Sequence, residues 1–395
     1  MSTAESSVPS LDELAADLID RGVRRIHSLA WRDLDDDDAG GSEVHADEFM
    51  RRWAAAGLEI THRTSFATGR PHTAGRNGYR VVRRGSRYSV FPRAVLAEIT
   101  RRAGPYDALV EIWNGVPWFS PIWCRKPKIT FLHHVHGPMW GQILPGPLAG
   151  FGRVLEARLA PPFYRRTQMV TPSDATRDEL VELGFRPERV LSVPNGVSDA
   201  FRPGGERSAV PYVVAVGRLA PVKRFDSLIE AAIVARRRVP ELRLDIVGSG
   251  PQRDELEAQV RAAGAGEWIG FIGQLPHHDL VAVYQRAWLV ASASLAEGWG
   301  LTLTEAAACS TPAVATDIRG HRSSVVDGET GVLAPLDRLG DTLADVLLDD
   351  ARRGELGRAA LLRAQTLTWD AAARNILAAL HGEVVRMRGP QAGMK

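Results

Sequence analysis

The sequence predicts an α/β protein built from two doubly wound domains with parallel sheets. Three observations carry that expectation. The chain has 395 residues, too long for one ordinary domain and enough for two, each able to bury its own core. Short apolar, β-branched runs alternate with amphipathic helical stretches along most of the chain, the rhythm of strands joined by right-handed helical crossovers. The rhythm pauses once, between Asn195 and Pro211, in a stretch rich in Gly, Pro and Ser with Gly204-Gly205 at its middle; such a composition reads as a linker.

Taken in order, Arg24 to Ala30 reads as a strand and Glu43 to Gly57 as a helix, with Val44, Phe49, Trp53 and Ala56 at helical spacing and Gly57 as its stop. Ala108 to Ile112 and Lys128 to His133 are strands. Met169 to Pro172 leads from a strand into a helix that Ser173 caps and Gly184 ends. Beyond the pause, strands are expected at Tyr212–Val216, Leu242–Val247, Trp268–Ile272, Leu289–Ala291 and Pro312–Thr316. Helices are expected at Arg224–Arg237, Arg253–Ala263, Leu280–Ala287, Leu303–Cys309 and Trp369–Met387. The chain therefore divides into a first domain at 1–200, a linker at 201–211, a second domain at 212–370 and a terminal helical segment at 371–395.

Composition removes several function classes. Hydrophobic residues make up 45% and charged residues 24%, and the net charge is only +2, so bulk charge does not point to nucleic acid. Cys124 and Cys309 form no zinc or disulfide framework and read as buried thiols. The polar start, Met1 to Ser10, lacks the pattern of a signal peptide. No stretch approaches the roughly 20 apolar residues of a membrane span. The expected location is cytoplasmic, with peripheral attachment at the inner membrane face as the alternative. The four aspartates Asp35 to Asp38 read as a solvated loop rather than a metal site. Lysine is confined to Lys126, Lys128, Lys223 and Lys395.

Four patterns carry chemistry. In the first, Glu297-Gly298-Trp299-Gly300-Leu301-Thr302-Leu303-Thr304-Glu305, two glutamates stand eight positions apart, one in a glycine-rich loop after a strand and one in the following helix. A helix start flanked by glycines favours an anion, because its first amides are unpaired and its dipole is positive there. A phosphate docked at that point has Glu297 on its sugar side and Glu305 on its nucleoside side; carboxylates accept from ribose and pyranose hydroxyls. The competing reading is two solvated glutamates. In the second, Val216-Gly217-Arg218-Leu219-Ala220-Pro221-Val222-Lys223, two cations emerge at a strand's carboxyl end, where they can neutralise a diphosphate or simply face solvent. In the third, Gly40-Gly41 precedes the first amphipathic helix and permits close approach of a phosphate or sugar, or makes a plain turn. In the fourth, His133, His134 and His136 follow a strand. They lack neighbouring acids or cysteines for zinc, and one of them can line a cleft.

Together these patterns resemble the retaining glycosyltransferases of family four, in the GT-B superfamily. The phrases GGSEVH at Gly40, VTPSDATRDEL at Val170, VPNGVSDAFRP at Val193, VGRLAPVK at Val216, IVGSGP at Ile246 and EGWGLTLTEAAACSTPAVATD at Glu297 carry the likeness from about Ile26 to Leu380. The resemblance implies two Rossmann-like domains facing a central cleft, the second holding a nucleotide-sugar donor, and a last helix that packs back on the first domain. It implies that Arg218 and Lys223 bind the donor diphosphate, that Glu297 contacts the transferred sugar, that the amides from Gly300 to Thr302 hold phosphate or sugar oxygens, and that Glu305 accepts from the ribose. Gly298, Trp299 and Leu301 belong to the same donor loop, and Gly40 and Gly41 face the diphosphate. His133 matches best the histidine that touches the sugar, with His134 as second choice, and Gly273, Gln274 and Leu275 lie where the base is read. No metal or other cofactor is expected. The sequence departs from the family's usual pattern at Ser310 and Ser323.

The implied reaction moves a hexose from a GDP-mannose, UDP-glucose or UDP-N-acetylglucosamine type donor to an acceptor hydroxyl. The acceptor is expected to be lipid-linked, anionic or a small molecule. Two features bear on it: ten arginines and a single acid, Glu98, between Arg63 and Arg102, and an amphipathic stretch at 147–166, where Leu148, Phe151, Leu155, Leu159 and Phe163 alternate with Arg153, Arg158, Arg165 and Arg166. Both suit an anionic acceptor or membrane surface; a helix packed on its own sheet is the other reading of the second. A nucleotide-sugar 2-epimerase of the same architecture and a silent sugar-nucleotide sensor are the alternatives in function.

Overall fold

The computed structural model describes residues 8–143 and 146–389. Most of the polar start, and Lys395, lie outside them. The first sheet has eight strands: β1 Arg25–Leu29, β2 Glu59–Thr64, β3 Thr73–Arg76, β4 Tyr79–Arg83, β5 Ala108–Trp113, β6 Lys128–Leu132, β7 Gln168–Thr171 and β8 Val190–Ser192. Their order is β3-β4-β2-β1-β5-β6-β7-β8, parallel except for β3. The second has six parallel strands: β9 Tyr212–Val216, β10 Arg243–Val247, β11 Ile269–Gly273, β12 Leu289–Ser292, β13 Ala313–Thr316 and β14 Gly331–Ala334. Their order is β11-β10-β9-β12-β13-β14. Helices cover both faces, so central strands such as β5 and β13 are buried along their whole length, as doubly wound sheets require.

Each sheet has its own core. In the first domain Ile26, Val110, Ile129 and Phe131 pack against Phe49 and Trp53 of the helix Gly41–Ala55. In the second, Val213, Leu244, Leu289 and Val314 pack against the helices Phe225–Arg236 and Leu339–Leu348. Cys124 and Cys309 are buried and unpaired.

The chain crosses between the domains twice, and the crossings touch. Val197 donates its amide to the Leu367 carbonyl at 2.9 Å and forms a bridge with Thr368. Thr368 then caps the helix Trp369–Arg388, which belongs to the first core: Ala373, Ile376, Leu377 and Leu380 pack there, and Trp53 donates its indole N–H to the Ala373 carbonyl at 2.9 Å.

The arginine-rich region from Arg63 to Arg102 forms parts of β2–β4 and the helix Val90–Ile99, elements that the apolar pattern does not announce. Much of its charge is cancelled internally. Arg83 pairs with Asp33 at 2.9 Å and Asp35 at 2.8 Å, Arg76 reaches the same two acids at 2.6 and 2.7 Å, Arg87 pairs with Asp38, and Arg63 meets Glu98 at 3.3 Å. This corrects the reading of Asp35 to Asp38 as a solvated loop: Asp35 and Asp38 are counter-ions for arginines some 40 residues or more away in sequence. Burying these guanidiniums requires such partners.

Candidate functional site

In both sheets the strand order reverses beside the first strand: β1 lies between β2 and β5, and β9 between β10 and β12. At such a point successive crossovers leave to opposite faces and open a crevice at the carboxyl ends of the strands. Arg32, Gly40 and Gly41 follow β1; Arg218 and Lys223 follow β9; Glu297 to Gly300 follow β12. The sequence patterns thus converge from two domains on one cleft.

Lys223 and Glu297 form an ion pair between the two crevice loops of the second domain. Ser294 also donates to Glu297, at 2.8 Å. Burial pushes the Glu297 carboxyl up, but Lys223, His321 and the two hydrogen bonds outweigh it and hold the group below its ordinary range. His321 is buried, its ring 3.2 Å from the Ser292 hydroxyl and 2.7 Å from the Thr316 carbonyl. Arg218 is exposed and meets no carboxylate among the described residues. Its loop is held by main-chain bonds to the IVGSGP segment: Gly217 donates to Val247 at 3.0 Å and Leu219 to Ser249 at 2.8 Å.

The helix Leu301–Ala308 begins immediately after Gly300, whose φ of 96° lies in the left-handed region that costs a side chain free energy. Trp299 is buried, and its indole N–H has no partner among the described residues. Leu301 packs against the first domain's core, so the start of this helix sits at the meeting of the domains, with Thr302 partly exposed beside it. One turn on, Glu305 receives a hydrogen bond from Tyr284 at 3.1 Å. Lost hydration pushes its carboxyl up to about 7, the tyrosine offsetting only part of the effect. Tyr284 lies on the helix His277–Arg286, which follows Gly273, Gln274 and Leu275; Gly273 accepts from the Gly248 amide at 2.8 Å.

The first domain supplies the facing wall. A Cβ on Gly41 would lie 2.9 Å from the Leu301 side chain, and one on Gly298 only 2.1 Å from the His133 carbonyl; the domains touch where these residues have no side chain. Gly40 donates its amide to the Glu43 carboxylate at 2.8 Å. The two histidines divide in a way the sequence order does not suggest. His133 turns into the first domain, its ring 4.6 Å from Phe131 and 5.0 Å from His45, with neither ring nitrogen bonded among the described residues. Side chains alternate at a strand's end, so His134 takes the other direction, and its surroundings include Glu297 and Lys223. The cleft-facing position expected of His133 is therefore occupied by His134. Among the described residues no group of His, Cys, Asp or Glu is arranged to hold a metal ion.

Ser294, His321, Tyr284 and Arg32 were not singled out by sequence. Ser294 reaches Glu297 from three residues back on the same loop, His321 does so only because β12 and β13 are neighbours, and Tyr284 reaches Glu305 only because two consecutive helices pack together. The strand-end position of Arg32 was a usable signal.

Comparison with known proteins agrees with this architecture. A family model described as Glycosyltransferase Family 4 matches residues 39–201, and one described as Glycosyl transferases group 1 matches residues 198–363. D-inositol 3-phosphate glycosyltransferase of Kribbella flavida is 31% identical over 415 residues, covering 91% of this chain and 96% of its own. GDP-mannose-dependent α-(1-6)-phosphatidylinositol monomannoside mannosyltransferase of Mycolicibacterium smegmatis is 29% identical, covering 72% of this chain and 79% of its own. Among solved structures, sucrose-phosphate synthase of Thermosynechococcus elongatus superposes with a TM-score of 0.77 at 21% identity, covering 92% of this chain and 99% of that one. With its two domain matches in sequence, its near full-length relative and two doubly wound sheets meeting at a shared cleft, the chain belongs to the family-four glycosyltransferases of GT-B fold.

Proposed function

We propose that this glycosyltransferase moves a hexose from a nucleotide-diphosphate sugar to an acceptor hydroxyl, with retention at the anomeric carbon and no metal cofactor. The observation that carries the reading is the Lys223–Glu297 pair beside the start of the helix Leu301–Ala308, with Arg218 unpaired on the adjoining loop. In this reading the diphosphate takes Arg218 and Lys223 as its counter-ions and the free amides of the helix start as donors. Lys223 then serves phosphate and carboxylate at once, which holds Glu297 ionised toward the sugar hydroxyls. Glu305 accepts from the ribose, Gly273 to Leu275 border the base, and His134 faces the sugar from the first domain. The cations stabilise charge that builds on the leaving diphosphate. A departing phosphate oxygen takes the acceptor's proton on the same face, so no enzyme nucleophile is required. Contact of the Gly298 loop with the first domain excludes water from the reaction. The 2-epimerase alternative is not favoured, since the relatives are named as transferases.

The donor test is thermal denaturation against GDP-, UDP-, ADP- and dTDP-sugars in EDTA. A ligand of the folded state raises Tm by mass action. A shift for one base, lost in Arg218→Ala, is expected, and retention is then read from the product's anomeric configuration by NMR. No shift with any donor, or a shift only without EDTA, contradicts the reading.

On the acceptor side the reading extends to an anionic membrane surface. From Ile112 to Ser173 the chain carries seven Lys or Arg and one acid, Glu156. That acid is buried and accepts from the His136 and Gly137 amides at 2.9 Å. Over the same stretch Ile122, Leu148, Phe151, Val154, Leu159 and Phe163 are 42–61% exposed, beside the exposed Arg153, Arg158, Arg165 and Arg166. Leu155 alone of the amphipathic leucines is buried. An apolar face rimmed by cations, with no exposed carboxylate, suits the headgroup boundary of an anionic bilayer. The full chain should sediment with phosphatidylglycerol vesicles and not with phosphatidylcholine vesicles, and Phe151→Glu should abolish the difference. Equal partition to both, or concentration-dependent dimerisation lost in Phe151→Glu, would assign the face elsewhere.

A further inference from the structure

A buried guanidinium without a carboxylate is costly, because the interior replaces little of its lost hydration. Among the described residues three arginines are more than nine-tenths buried: Arg83 at 2% exposed, Arg63 at 7% and Arg32 at 7%. Two have counter-ions, Arg83 in Asp33 and Asp35, Arg63 in Glu98. Arg32 has none. It donates to the Asp38 carbonyl, lies with its Cζ 4.3 Å from the centre of the Trp31 ring, and leaves its Nε–H without a partner. Stacking on an indole returns only part of the loss.

Its place in the fold is specific. Arg32 leaves the carboxyl end of β1, at the switch point of the first sheet and on the loop that leads to Gly40 and Gly41. Glu43, an acid within electrostatic reach, is buried and turned to the Gly40 amide. Burial pushes its carboxyl up, which weakens it as a counter-ion. The charges felt by Arg32 include that of Arg218, which comes from the other domain and is also unpaired. Two guanidiniums from opposite walls therefore converge on the cleft; the Asp38 carboxylate acts on both from a distance but is bonded to Arg87, so among the described residues neither has an anion of its own and a bound one would relieve their repulsion.

We propose that Arg32 is the first domain's half of a phosphoryl-binding site that Arg218 completes across the cleft. The site takes the oxygens of a phosphoryl group, for which planar, multi-donor guanidiniums are well suited. That group is either the donor's diphosphate or a phosphate carried by the acceptor. The inference rests on the donor-site reading of Arg218, and it adds that donor or acceptor charge is needed to draw the two domains together.

The test is calorimetric titration of the full chain with GDP and UDP, and of nucleotide-saturated protein with inorganic phosphate, for wild type, Arg32→Met, Arg32→Lys and Arg218→Ala. Methionine keeps an unbranched stem on Trp31 and removes the charge. A tenfold or greater loss of nucleotide affinity in Arg32→Met supports the site with the donor as its source. Unchanged nucleotide affinity with loss of phosphate binding supports it with the acceptor as source. Arg32→Lys is expected to fall between, since it keeps the charge without the fork. If Arg32→Met leaves both affinities intact while Arg218→Ala weakens the nucleotide, the inference is overturned and the donor site stands. If Arg218→Ala also leaves nucleotide binding intact, the donor-site reading itself falls.

Discussion

Replacing Glu305 by glutamine should remove a pH dependence that is expected of the wild-type protein both in stability and, in the proposed donor site, in donor binding. Its side chain receives one hydrogen bond, from Tyr284 at 3.1 Å, and lost hydration pushes its carboxyl from the ordinary 4.5 up to about 7. At about 1.4 kcal/mol per pH unit this amounts to about 3 kcal/mol as an upper bound. The sign follows from proton linkage. Between these two values the folded chain binds the proton and the unfolded chain does not, so stability falls as pH rises through that window and stays low above it. Glu305→Gln never ionises; its advantage in Tm over wild type should be small at pH 5 and largest at pH 8. Donor binding has the opposite slope. Ribose hydroxyls donate to a carboxylate, so the proton must leave, and affinity for the cognate nucleotide sugar should rise about tenfold from pH 6 to pH 8. The glutamine variant should bind more weakly with a flat profile. Titration calorimetry of the nucleotide sugar in two buffers of different ionisation enthalpy measures both affinity and proton release. A wild-type affinity independent of pH, with no proton released at pH 7, would refute the reasoning.

Three further outcomes follow. In the proposed donor site Lys223→Ala removes both a diphosphate counter-ion and the cation that holds Glu297 ionised against burial; kcat/KM should fall about 100- to 1000-fold with the circular dichroism unchanged, and a loss below about tenfold would exclude the pairing as functional. Gly298→Ala puts a methyl group where the His133 carbonyl now lies; kcat should drop at least about tenfold while Tm moves little, since the clash is between domains, and full turnover would show that this contact is dispensable. Arg83→Met strips a buried partner from Asp33 and should destabilise the fold by about 3 kcal/mol in urea denaturation, whereas a change below about 1 kcal/mol would mean that Arg76 alone neutralises the aspartate.

The second domain was the more legible half. Runs such as YVVAV at Tyr212 are apolar at every position because parallel strands are covered on both faces, and their glycine-rich ends mark the loops of the proposed donor site. In the first domain β2 to β4 escaped notice because their arginines look like a solvated surface. Only Asn77-Gly78, with φ of 45° and 86°, advertised the hairpin between β3 and β4.

The order of loops and helices, and with it the grouping of Arg218, Lys223, Glu297 and Glu305 in one domain, was set by local pattern: apolar period, glycine at strand ends, and residues eight positions apart. Which charges are paired was not. Asp33 with Arg83, Glu297 with Lys223 and Glu305 with Tyr284 are separated by 50, 74 and 21 residues, and only packing of distant elements decides whether a charge meets a partner, water or neither. The same holds for the choice between His133 and His134 and for the isolation of Arg32. Local sequence governs backbone torsions over a few residues, whereas burial, and the hydration and pairing it controls, depends on what the rest of the chain brings alongside.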